Sequence, residues 1–280
     1  MSSLAEAAPT PEMLERRSEL PRRWPWLIWC FRHYAIRFVR KQFHAVRLSA
    51  SGGSFPPNST EPLLVVLNHP SWWDPMIGIV LSSLCRERDH FAAIDAAAVK
   101  QYAFFRRLGF VGVNPGSVMG AATFLRVGTS ILAHPNRVFW VTAQGRFSDV
   151  RERPLALQPG VGHLAARLTR GIVLPVALEY TFWNERTSEA LIRVGETLRV
   201  QDHIGLSGKD WLALIETHLT RNLDVLNVEA MTRDPAKFTV LLSGRAGVGG
   251  PYDWWRRIRS GMRGERFDPS HEAGMRENHS

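Results

Sequence analysis

Along this chain, short apolar runs alternate with longer stretches whose apolar residues recur every three or four positions. Leu63–Leu67 is unbroken Leu-Leu-Val-Val-Leu bounded by turn formers, the pattern of a strand buried on both faces. Residues 90–94, 110–113, 138–142, 172–178 (interrupted by Pro175) and 192–200 read as further strands. Helical periodicity fills 76–84, 96–108, 117–133, 159–169 and 211–223. Strands that alternate with helices predict an α/β fold, a mixed sheet flanked by helices.

Ahead of that domain, residues 21–48 start with Trp24, Trp26 and Trp29 and then take on helical spacing. His33, Arg37, Arg40, Lys41 and His44 share one face, with Ile28, Phe31, Ala35, Phe38 and Val46 largely opposite. A basic amphipathic helix with tryptophans at one end predicts an element lying in the plane of a membrane surface. Residues 1–20 read as a mobile tail, 49–62 as a Ser/Gly/Pro-rich linker and 63–243 as the main domain. Residues 244–280 read as a partly disordered tail in which Trp254-Trp255-Arg256-Arg257-Ile258-Arg259 repeats the aromatic-basic composition. Gly247-Val248-Gly249-Gly250 lacks the Lys-Ser pair and following helix of a phosphate loop.

Composition narrows the partners. A net charge of +9 suits an anionic surface, nucleic acid or lipid. Ten Trp against four Tyr favour the lipid headgroup level, and no nucleic-acid motif accompanies the charge. Two cysteines, Cys30 and Cys85, fit no metal spacing and suit a reducing compartment. The start of the chain is no signal peptide, and no apolar stretch is long enough to span a bilayer. The expectation is a peripheral protein on the cytoplasmic face of a membrane.

Chemistry concentrates where the 63–67 strand ends. His69 follows at the carboxyl edge, where open α/β sheets place their ligand crevice. Asp74 comes five residues later, beyond the turn Pro70-Ser71-Trp72-Trp73. If that turn folds back into a helix, the carboxylate reaches the imidazole, keeps one ring nitrogen protonated and leaves the other as a base. His90 and Asp95 repeat the spacing inside a strand, where an odd offset sends side chains to opposite faces, so that pair is not expected to meet.

Four blocks in order resemble the PlsC-type glycerolipid acyltransferase superfamily, which includes lysophosphatidate acyltransferases. Asn68-His69-Pro70-Ser71-Trp72-Trp73-Asp74 is similar to its Asn-His-x-x-x-x-Asp block, and Gly109-Phe110-Val111-Gly112-Val113-Asn114 to its second. Ala143-Gln144-Gly145-Arg146-Phe147-Ser148 resembles the third, usually Pro-Glu-Gly-Thr-Arg-Ser, and Val173-Leu174-Pro175-Val176-Ala177 the fourth. The resemblance implies acyl transfer from acyl-CoA or acyl carrier protein to a hydroxyl of a lysophosphatidate-like lipid acceptor, as in a 1-acylglycerol-3-phosphate acyltransferase, with no further cofactor and no metal. His69 would be the general base, Asp74 its orienter, and Asn114, Gln144, Gly145, Arg146 and Ser148 would bind the acceptor, with the backbone around Gly145 a candidate oxyanion cradle. Two departures stand out: Gln144 replaces the family's Glu, and Phe147 replaces its acceptor-binding Arg. An arginine fork is the natural grip on a phosphate monoester. Its displacement opens the alternative of a phosphate-free acceptor such as a glycolipid. A non-catalytic basic membrane-surface protein is the further alternative, and it would need no His–Asp pair.

Overall fold

A computed structural model describes residues 20–56 and 60–244. The elements, in order, are α1 (Pro25–Gln42), β1 (Phe43–Ser49), β2 (Leu63–Leu67), α2 (Asp74–Leu81), β3 (Asp89–Asp95), α3 (Ala96–Gln101), α4 (Phe105–Leu108), β4 (Phe110–Val113) and α5 (Val118–Leu132). Then follow β5 (Arg137–Thr142), α6 (Pro159–Ala166), β6 (Ile172–Thr181), β7 (Ser188–Val194), β8 (Leu198–Arg199), α7 (Gly208–Thr232) and β9 (Phe238–Ser243).

The strands form one mixed sheet in the order β4-β3-β5-β2-β6-β7-β1-β9, with β8 against β6. From β4 to β6 every pairing is parallel; β7 turns antiparallel to β6, and β1 lies parallel to β7. The apolar run of β2 explains itself here. It is flanked on both edges by β5 and β6, and its residues alternate between two cores, Leu64 and Val66 on one face and Leu63, Val65 and Leu67 on the other. All five are at most 3% exposed, and each such side chain contributes about 1.5–3 kcal/mol by burial. Because β5 and β6 flank β2 in parallel, the segments that follow β2 and β5 emerge side by side at one edge of the sheet.

Several boundaries differ from the sequence reading. The helix expected over 21–48 stops at Gln42, and Phe43–Ser49 is a strand joined to β7 and β9. Long-range pairing overrides the local helical pattern there. His44 leaves the basic helix face, is buried and sits 2.6 Å from Glu189. His33, Arg37, Arg40 and Lys41 do lie exposed on α1. The strand expected over 192–200 begins earlier, at Ser188, and ends before Gly195, whose N–H turns to the Pro175 carbonyl. The helix expected over 96–108 is broken at Tyr102. The helix expected over 211–223 is longer, opening on a Ser207/Asp210 capping box and running to Thr232, and β9 was not anticipated. No helix among the described residues is long and apolar enough to cross a membrane. The tail readings over 1–19 and 245–280 lie outside the described residues.

Candidate active site

The site is assembled where β2 and β5 end. Beyond Leu67, the Asn68 side chain prolongs the β2–β6 pairing: its amide donates to the Leu178 carbonyl at 2.9 Å and accepts from the Leu178 N–H at 2.8 Å. The next residue, His69, is thereby held at a fixed height above the sheet. Pro70–Trp73 turns the chain into α2, whose first residue is Asp74. A carboxylate suits that position, because the N-terminal turn of a helix carries unsatisfied N–H groups and positive dipole.

Asp74 Oδ2 lies 2.5 Å from His69 Nδ1 and also accepts the Ser71 N–H at 3.3 Å. A carboxylate only accepts, so the shared hydrogen belongs to Nδ1 and Nε2 is left as the free base. The other oxygen, Oδ1, accepts the Tyr180 hydroxyl at 2.7 Å. Burial, reinforced by the Asp74 charge, pushes the Tyr180 pKa well up, so this hydroxyl remains a neutral donor. Sequence reading missed Tyr180 because the β6 strand was ended at Leu178. Two further strand residues place position 180 on the same face as 178.

The control pair behaves as its spacing requires. His90 and Asp95 do not meet: Asp95 caps α3 through the Ala97 N–H, while His90 accepts from Trp140 Nε1 at 3.0 Å and contacts the Cys85 carbonyl at 3.1 Å. Burial drives the His90 pKa down to about 4, which keeps it a neutral structural residue.

The loop after β5 braces His69 from behind. Gln144 Oε1 accepts the His69 N–H at 2.7 Å and its Nε2 donates to the Leu155 carbonyl at 3.0 Å; Ser148 N–H donates to the His69 carbonyl at 3.0 Å. Both residues are buried, and neither lines the cavity in front of His69. Of the five expected acceptor contacts, Asn114, Gly145 and Arg146 do line it. Gly145 adopts φ +64°, and a Cβ there would press on the Gln158 side chain at 3.0 Å, so the turn needs glycine. The turn also consumes the Gly145 N–H, which donates to the Thr142 carbonyl at 3.3 Å.

The cavity measures about 1150 Å³. From His69 and Phe147 it extends one way between α1, α2 and the sheet, past Ile28, Ile79 and Trp140, to Arg32, Arg86 and Asp89. The other way it reaches Val113, Phe124 and Leu125. Phe147 stands with its ring centroid 4.6 Å from that of His69 and is 58% exposed. The loop arginines are engaged with carboxylates: Arg146 with Glu152, Arg151 with Asp149 at 2.7 Å, and Arg153 with Asp224.

A comparison with curated proteins returned no match. A family model described as "Acyltransferase" matches residues 52–179, which contain the His69–Asp74 turn, the Gln144–Ser148 brace and all of β6 but its last two residues. With these pieces around one imidazole, the matched stretch, residues 52–179, is an acyltransferase domain of the PlsC type.

Proposed function

We propose that this domain moves a fatty acyl group from a thioester, acyl-CoA or acyl carrier protein, to a hydroxyl of a lipid acceptor. The observation that carries the reading is the 2.5 Å contact between Asp74 and His69 Nδ1 at the wall of a large, mostly apolar cavity. His69 Nε2 takes the proton of the acceptor hydroxyl as its oxygen attacks the thioester carbonyl. The C–S bond breaks, the ester C–O bond remains, and the proton passes from the imidazolium to the departing thiolate. Asp74 stabilises the imidazolium, and Tyr180 steadies Asp74. The oxyanion needs donors other than the Gly145 N–H; those of Arg146 and Phe147 follow in the chain and make no backbone bond among the described residues.

Of the possible acceptors, lysophosphatidate would place its phosphate a few bonds from the reacting hydroxyl. Beside His69 the chain offers Phe147, and the guanidinium of the preceding residue, Arg146, is already paired with Glu152. This favours a phosphate-free hydroxyl lipid, such as a glycolipid. Exposed Trp29 and Trp72 line the cavity, and Trp26, Arg37, Arg40 and Lys41 are exposed on the helix that carries Trp29, which supports work at an anionic cytoplasmic membrane face.

The test is transfer of radiolabelled acyl groups from acyl-CoA to a panel of lysophosphatidate, other lysolipids and glycolipids. His69→Ala is expected to lose at least about 100-fold in turnover while keeping the wild-type circular dichroism spectrum. Near-wild-type turnover in that variant would remove the mechanism, and a clear preference for lysophosphatidate would remove the phosphate-free acceptor.

A further inference from the structure

Toward the end of the cavity away from His69, Arg32 and Arg86 share a wall with Asp89, whose carboxylate is paired with Arg23. Arg32, on α1, is partly buried, and its guanidinium donates to the Ser82 hydroxyl at 3.4 Å. Arg86 follows the short 3₁₀ turn Ser82–Cys85 that continues α2, and it makes no ion pair among the described residues. The two are close enough that Arg86 lowers the Arg32 pKa, second to burial. Like charges brought together at a cavity wall are costly unless an anion comes between them. Their neighbours on the same wall are already committed: Arg23 is paired with Asp89, and Arg88 donates to the Glu61 carbonyl at 2.7 Å.

Distance identifies the anion. From Asp74, beside the base, α2 and the following turn carry the wall roughly 15–20 Å to Ser82 and Arg86. A lipid acceptor whose hydroxyl lies at His69 Nε2 cannot reach that far with its phosphate, because glycerol separates the two groups by only a few bonds. A thioester donor can. Its sulfur sits at the reacting carbonyl, and its phosphopantetheine arm ends in a phosphate at about this extended length.

We propose that Arg32 and Arg86 form an anion subsite that holds the phosphate of the phosphopantetheine arm of the acyl donor, with the arm lying along the limb between α1 and α2. The acyl chain then takes the opposite limb, toward Val113, Phe124 and Leu125. This assignment rests on the reading of the domain as a thioester-dependent acyltransferase, and it adds the means by which the donor is measured from its phosphate end.

The experiment compares acyl-CoA with acyl-pantetheine, which has the same thioester but no phosphate, in the wild type, Arg32→Gln, Arg86→Gln and the double variant. The wild-type preference for acyl-CoA, as a ratio of kcat/KM values, is expected to collapse by at least about tenfold in the double variant. The change should lie mainly in KM. Calorimetric titration with CoA itself supplies a readout that does not depend on turnover, with a matching loss of at least about tenfold in affinity expected. Equal CoA affinity in the wild type and the double variant, with unchanged melting curves, would overturn the subsite. A wild type that binds CoA through these arginines yet transfers no acyl group would instead overturn the acyltransfer reading and leave the subsite standing. A preference that collapses only with acyl carrier protein as donor would assign the same phosphate to the carrier-borne arm.

Discussion

Tyr180 donates its hydroxyl to Asp74 Oδ1 at 2.7 Å, on the oxygen that His69 does not use. His69 and Tyr180, far apart in the chain, thus share one carboxylate, and the orientation of the His69 ring depends on β6 as much as on the turn that carries it. Tyr180→Phe keeps the ring packed against Phe43 but leaves Oδ1 unpaired in a buried place. The expected result is a fall in kcat of roughly tenfold, about 1.4 kcal/mol, with KM little changed. Steady-state kinetics with one donor and one acceptor check it, and an unchanged kcat would reduce Tyr180 to a packing residue.

Gln144 bridges two backbone groups of opposite kind, accepting from the His69 N–H and donating to the Leu155 carbonyl. Glutamate, which stands here in the wider family, cannot donate when ionised. Gln144→Glu is therefore expected to cost about 1–3 kcal/mol of stability, since it faces an unpaired carbonyl with a buried carboxylate. Urea unfolding followed by tryptophan fluorescence measures this. An equally stable variant would mean that the 143–158 segment rearranges around the new side chain.

Phe147 packs its ring beside His69, at the position where the resemblance to the family would put a phosphate-gripping arginine. Phe147→Arg should shift acceptor preference toward lysophosphatidate, raising its kcat/KM relative to an uncharged acceptor by about tenfold. Paired assays on the two acceptors decide it, and no shift would show that the phosphate never approaches this side of His69.

Glu179 follows Leu178 on β6 and faces away from Tyr180. Burial pushes its carboxyl up from the ordinary 4.5 to about 7, with Arg151 opposing and Asp149 adding to the rise. The folded chain therefore keeps a proton that the unfolded chain gives up between these values. This contribution to stability is full below about pH 4.5 and is lost as pH rises through about 7. Glu179→Gln should remove that slope, so the stability difference between variant and wild type widens in the variant's favour from pH 4.5 to 8. Denaturant midpoints across that range are the measurement, and parallel curves would rule out Glu179 as the titrating group.

Much of the sheet was legible in the chain because burial on both faces leaves an unmistakable mark: β2 is five apolar residues in a row, and the strand that follows α5 is nearly as plain. The His69–Asp74 contact was legible too, since a five-residue offset joins two side chains only when a turn lies between them, and Pro70–Trp73 supplies it. Local pattern could not reveal partners drawn from elsewhere. Phe43–Ser49 continues a helical rhythm in sequence, yet pairing with β7 and β9 makes it a strand. Gln144 and Ser148 carry the residue types of acceptor ligands, but the fold turns them inward against the His69 backbone. Tyr180, Arg32 and Arg86 have no signature at all in their own neighbourhoods. The sequence by itself determined the alternating α/β order and the pairing of His69 with Asp74, because both are written in short-range spacing. Only the tertiary structure decided what steadies that carboxylate and what lines the cavity around it, because those contacts join residues that the chain keeps far apart.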